Sequence, residues 1–226
     1  MIWLLYILLS AVHLSLIYIG KSDWLAITKP LLMPALALVI INQTKLKAPT
    51  MRYLAAGVLL GGFGDLFLMG QGTLFFALGL VAFLIGHLLY IYVFAQEVKQ
   101  SKKTHYLLEA TYWILPYTAF FVLTINLLSK YISNFPVFPI YLYAFVIFLM
   151  SLMAVNRWYA ATSTSWWLVF LGSLLFIISD LALAVKVFIA PFENSSLLIM
   201  STYIAAQGLI VYGCINNPIP KNQKLK

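Results

Sequence analysis

Two aspartates stand where a chain has little reason to keep a charge. Asp65 lies in "LLGGFGDLFLMG" (59–70) and Asp180 in "FIISDLALAVKVF" (176–188), runs otherwise apolar enough to be membrane. An ionised carboxylate at the bilayer centre costs roughly 2.5–3.5 kcal/mol on insertion scales, so each acid should face an interior or a wet cavity. Two carboxyl groups in one low-dielectric pocket should not share a protonation state. One keeps its proton and acts as an acid, while its partner is left as a base. Such a pair suits cleavage of an acetal, glycoside or enol ether, where protonation precedes water attack on an oxocarbenium ion. Ester hydrolysis fits less well. Neither G-x-S-x-G nor H-E-x-x-H is present. The same acids, with an intramembrane histidine, could instead form the proton relay of a transporter. The residues alone leave the two readings nearly level.

The elements that must hold these acids follow from composition. Of 226 residues, 63% are hydrophobic and 9% charged, with mean hydropathy +0.97. Soluble chains carry roughly a quarter charged residues. Apolar stretches of about 20 residues recur along the whole length, each enough to cross a bilayer core. Turn and charge signals give an all-α bundle of eight transmembrane helices, at about 2–20, 24–42, 52–70, 73–95, 107–128, 138–155, 165–188 and 196–215. Residues 1–226 form one transmembrane domain. The first run lacks a basic leader and a cleavage site, so it reads as a retained span rather than a signal peptide. Cys214 is the one cysteine, which excludes an intrachain disulfide, and no Cys/His cluster has metal-ligand spacing.

The net charge of +8 sits mostly in short connections, as topology determinants do, so anionic lipid headgroups rather than nucleic acid are the expected partners. Lys45, Lys47, Arg52, Lys99, Lys102, Lys103, Arg157, Lys221, Lys224 and Lys226 fall on one side, against Lys21 and Lys130 on the other. That asymmetry places both termini inside. "GDLFL" and "SDLAL" stand four helices apart, which allows a parallel 4+4 pseudo-repeat. Compact loops point to a bacterial inner membrane.

Gly57, Gly61 and Asp65 follow at i, i+4 on one stripe. Small residues there let a neighbouring helix approach, so Asp65 faces protein. Asp180 shares a less distinctive stripe with Ser173 and Ala184. At about 1.5 Å per residue, both acids come out somewhat above the midplane, in the non-cytoplasmic half. Lys29, Tyr203 and Gln207 begin their spans from that side, and His87 lies nearer the midplane. Six polar groups can therefore converge: Lys29, Asp65, His87, Asp180, Tyr203 and Gln207. The duller alternatives are a Lys–Asp lock between two helices and polar glue between others. His13, on a stripe with Tyr6 and Ser10, reads as structural, and His105 as a loop residue. Lys186 reads as snorkelling to the outer interface. Asp23, Glu97, Glu109 and Glu193 read as solvated, and Asn156 and Arg157 as an inner anchor.

The segments "TKPLLMP" (28–34), "GGFGDLFLM" (61–69), "FLIGHLLYIYVF" (83–94), "SDLALAVKVF" (179–188) and "YIAAQGLIVYG" (203–213) combine into something more specific. In order and spacing the chain resembles the YhhN-like lysoplasmalogenase family of integral membrane enzymes, with 107–157 matching least. The resemblance implies hydrolysis of the vinyl ether bond of a lysophospholipid substrate, a lysoplasmalogen, to a fatty aldehyde and glycerophosphoethanolamine or glycerophosphocholine. Asp65 and Asp180 look like the family's two membrane aspartates, with Asp180 assigned as the base. His87 would orient a carboxylate or relay a proton. Lys29, with Tyr203 and Gln207, would hold the phosphate end or depress one aspartate's pKa. No metal or organic cofactor is required.

Overall fold

The computed structural model describes residues 2–102, 105–132 and 137–217. Its helices are α1 (Ile2–Tyr18), α2 (Ser22–Thr44), α3 (Pro49–Phe67), α4 (Thr73–Ser101), the single turn α5 (Tyr106–Glu109), α6 (Ile114–Ser129), α7 (Val137–Asn156), α8 (Ser163–Ala184) and α9 (Ser195–Ile215). There is no strand among the described residues. Eight of these helices correspond to the eight apolar runs. Among the described residues, six are long and apolar enough to cross a bilayer: α2, α4, α6 with its leading turn, α7, α8 and α9. The chain is a multi-pass membrane protein. Lys103, Lys221, Lys224 and Lys226 lie outside the described residues.

Three boundaries differ from the expected ones. α4 runs on to Ser101, beyond residue 95. The span expected from residue 107 is interrupted at Ala110, whose φ −110° and ψ 49° are not helical, and resumes at Thr111. α8 ends at Ala184 and continues as one π-helical turn, Val185–Ile189, closed by the Ala190 N–H on the Val185 carbonyl at 3.0 Å. Such turns recur at functional sites because they re-aim side chains.

Two hairpins, α3–α4 and α8–α9, form the most closely packed pairs. Glycines permit it. A methyl on Gly86 would stand 3.1 Å from the Gly57 carbonyl, and one on Gly172 would stand 2.9 Å from the Ala206 carbonyl. Backbones this close gain van der Waals contact that lipid tails cannot match. α2 packs on α3, α4 on α7, and α1 and α2 close against α9. α6 stands outside, packed chiefly on α7, with only 11% of its span buried.

Glu97 and Arg157 correct the reading of solvated acid and membrane anchor. Arg157 is wholly buried and Glu97 is 6% exposed. The guanidinium Nε donates to Glu97 Oε2 at 2.8 Å, and Nη2 stands 2.7 Å from the same oxygen. Nη2 also donates to Ser165 Oγ at 2.9 Å, and Asn217 Nδ2 donates to Glu97 at 3.1 Å. The Phe94 ring lies under the guanidinium at 5.3 Å. The extension of α4 keeps Glu97 inside the bundle, and the turn after α7 brings Arg157 inward. Buried charge persists only when paired and hydrogen-bonded, and this cluster meets both conditions. It ties the last turns of α4 and α9 to the first turn of α8, at one end of the bundle. The aspartates lie towards the other end.

Candidate active site

Asp65 sits in the last turn of α3, 4% exposed, on the face that the glycine stripe indicates. A methyl on Gly61, one turn earlier, would lie 2.9 Å from the Tyr203 hydroxyl and 3.0 Å from Gln207 Nε2. The stripe thus lets α9 bring its polar side chains against α3. Lys29, from α2, places Nζ 3.3 Å from Asp65 Oδ1. Among the described residues, neither Asp65 Oδ2 nor the Tyr203 hydroxyl has a hydrogen bond of normal geometry, although the two side chains face each other. Phe83 and Phe176 hold the Tyr203 ring edge-on, at 6.0 and 5.4 Å.

Asp180, half-buried on α8, accepts a hydrogen bond at Oδ2 from the Tyr143 hydroxyl of α7. Among the described residues it makes no ion pair.

Both aspartates line one cavity of about 220 Å³, together with His13, Lys29, Ser179, Lys186 and Tyr203. Its wall is built from the C-terminal ends of α1, α3 and α8 and the N-terminal ends of α2 and α9. Asp180 also lines a second, almost wholly apolar cavity of about 70 Å³, shared with Tyr143, Leu128, Ile140 and Phe148. One carboxylate therefore stands at the boundary between a charged chamber and an apolar slot. Among the described residues, no three His, Cys, Asp or Glu come together as metal ligands would.

The six residues expected to converge divide into two layers. Lys29, Asp65, Asp180 and Tyr203 line the polar cavity. Gln207 stands behind, accepting from the Tyr90 hydroxyl at 2.5 Å. His87 also stands behind, lining neither cavity, with its ring 4.6 Å from Phe176 and 5.6 Å from Tyr143. Among the described residues, neither His87 nitrogen has a hydrogen bond of normal geometry. Sequence reasoning missed three residues. Tyr143 stands in the apolar run "YLYAFVIF" (141–148), where nothing in the sequence sets it apart from its aromatic neighbours. Lys186 points not simply outward: from the π-helical turn it donates to Ser196 Oγ at 2.8 Å and lines the cavity. His13 lines the cavity too.

The model of the YhhN family matches residues 24–214. The chain belongs to that family. Among the relatives of this YhhN protein is human lysoplasmalogenase TMEM86B, 30% identical over 146 residues, covering 65% of this chain and 57% of the relative. The bovine lysoplasmalogenase TMEM86A is 29% identical over 181 residues, covering 76% of this chain and 69% of the relative. The chain thus aligns with little more than half of the human relative's length. No solved structure matches it significantly.

Proposed function

We propose that this chain is a membrane hydrolase that cleaves the vinyl ether bond of lysoplasmalogens, releasing a fatty aldehyde and glycerophosphoethanolamine or glycerophosphocholine. The observation that carries the reading is the pair of aspartates on one cavity, with Asp180 also facing an apolar slot. A single-chain lipid would lay its alkenyl chain in the slot and its glycerophosphate in the polar chamber. The vinyl ether would then lie at the boundary, beside Asp180. Family membership and the names of the relatives support the same substrate class.

The ion pair with Lys29 suits Asp65 to the role of carboxylate base. Asp180, with no ion pair and an apolar neighbour, delivers the proton. This reverses the assignment of Asp180 as base. The Asp180 proton adds to the vinyl carbon not bonded to oxygen, and the π electrons form the new C–H bond. The resulting oxocarbenium ion is attacked at carbon by water, whose proton passes to Asp65. The hemiacetal then collapses: Asp65 returns its proton to the glycerol oxygen as that C–O bond breaks, the hemiacetal hydroxyl gives its proton to Asp180 as the C=O bond forms, and the aldehyde leaves. One water is consumed and both carboxyl groups recover their starting states. Positioned acid–base catalysis of this kind contributes about 10²–10⁴-fold. Tyr143 orients the acid, and His87 supports Tyr143 by ring contact. Lys29 and Lys186 attract the phosphate.

All eight long helices are proposed to span, with both termini inside a bacterial cell membrane, so that the cavity opens towards the outer leaflet. The test is turnover of lysoplasmalogen by purified protein in heavy water, with the aldehyde trapped as it forms. Carbon protonation puts one solvent deuterium on the carbon next to the carbonyl. An aldehyde without that deuterium, or no aldehyde, contradicts the mechanism.

A further inference from the structure

Among the described residues, three that line the polar cavity carry a buried polar atom without a hydrogen bond of normal geometry: Asp65 at Oδ2 and Tyr203 at Oη, which face each other, and His13 at Nε2. Buried polar atoms are otherwise almost always satisfied, so a cluster of orphans on one cavity marks where a ligand's polar groups belong. Asp65 already has a place in the chemistry above, and Tyr203 stands beside it. His13 has no such place.

His13 is 1% exposed, on α1. Its Nδ1 lies 2.7 Å from Thr28 Oγ1, and the Thr28 hydroxyl donates to the Trp24 carbonyl at 3.1 Å. A hydroxyl has one proton to give. With that proton on the carbonyl, Thr28 accepts from Nδ1–H, and the neutral ring, which lines the cavity, is left with an unpartnered Nε2 lone pair. An uncharged hydrogen-bond acceptor is a poor partner for phosphate, which Lys29 and Lys186 suit. It calls for an O–H or N–H donor.

Resting on the reading of the site as a lysoplasmalogenase, we infer that His13 Nε2 accepts a hydrogen bond from the free glycerol hydroxyl next to the vinyl ether carbon chain, and so selects lipids that have lost their second acyl chain. A lipid esterified at that hydroxyl has no proton to offer and would leave Nε2 buried and unpaired. A site built around a substrate hydroxyl rejects analogues lacking it far better than an apolar pocket rejects an extra methylene. His13 is then a specificity-determining residue, and Thr28 is the positioning residue that fixes its tautomer.

The experiment compares a choline-headed lysoplasmalogen, which has no N–H donor, with its analogue lacking the glycerol hydroxyl. The unaltered protein should prefer the hydroxylated substrate in kcat/KM by about tenfold to a hundredfold, the range expected for one buried hydrogen bond left unmade. His13→Phe should lower kcat/KM for the lysoplasmalogen by a similar factor while leaving the deoxy analogue within about twofold. Thr28→Val, which keeps the side-chain shape, should reduce the preference in the same direction. Equal losses on both substrates in His13→Phe, or no preference in the unaltered protein, overturn the inference while the hydrolase reading stands. Failure of the unaltered protein to cleave either substrate overturns that reading, and this inference with it.

Discussion

The Lys29 ammonium stands 3.3 Å from the Asp65 carboxylate, joining α2 to α3 at the wall of the cavity that also holds Asp180. The pair is only partly shielded, since the Lys29 side chain is 19% exposed and Asp65 5%. Lys29→Met keeps the length of the stem and removes the charge. Aldehyde release should fall by about 10²-fold, because the base loses the cation paired with it. Kinetics on purified protein check this, with thermal unfolding in detergent as the control for folding.

Tyr143→Phe removes the hydroxyl donated to Asp180 and little else, because the ring still packs on His87. The expected effect is about a tenfold loss in kcat with KM nearly unchanged, the signature of an interaction that matters only as the transition state forms. An equal rise in KM would instead make Tyr143 part of substrate binding.

The fold was legible in the sequence wherever hydropathy alone decides it. All eight long helices follow from runs of about 20 apolar residues, and the inward face of Asp65 follows from glycines at Gly57 and Gly61. What escaped depends on contacts between distant helices. Glu97 reads as a solvated charge and Arg157 as an inner anchor, because helix-end position in sequence is the same for a charge facing outward and one facing inward. Their partnership spans 60 residues. Tyr143 resembles any interface tyrosine until α7 packs on α8. His13 had a plausible structural role, and it has one, through Thr28; its ring also lines a cavity that no local pattern encodes. His87 and Gln207 stand behind the cavity rather than on its wall, since depth along a span does not fix distance from a cavity.

The Arg157–Glu97 cluster supports stability rather than chemistry, because it lies at the opposite end of the bundle from the cavity. Arg157→Met should destabilise by about 3–5 kcal/mol, leaving Glu97 buried without its counter-ion. Replacing both residues with Met should recover most of that loss. Thermal unfolding of the two single variants and the double variant measures the coupling. Activity per folded molecule should stay near that of the unaltered protein in the double variant.

Gly61→Ala tests how closely α9 must approach α3. The new methyl would meet the Tyr203 hydroxyl at 2.9 Å and Gln207 Nε2 at 3.0 Å. Relief requires Tyr203 to leave Asp65, at a cost in stability of about 1–3 kcal/mol. Aldehyde release should drop by about tenfold, on the general-acid scale of one misplaced polar group. Unchanged activity would show that the Tyr203 hydroxyl has no part in the reaction.

The central claim is that Asp65 and Asp180 act together on one bound lipid, and single Asp→Asn variants measure it most directly. Asparagine matches the shape of the carboxylate but can neither deliver nor hold the proton. Aldehyde release from lysoplasmalogen by purified Asp65→Asn and Asp180→Asn should each fall by at least about 10²-fold, with unfolding temperatures close to that of the unaltered protein. Release near the unaltered rate in either folded variant would contradict the account.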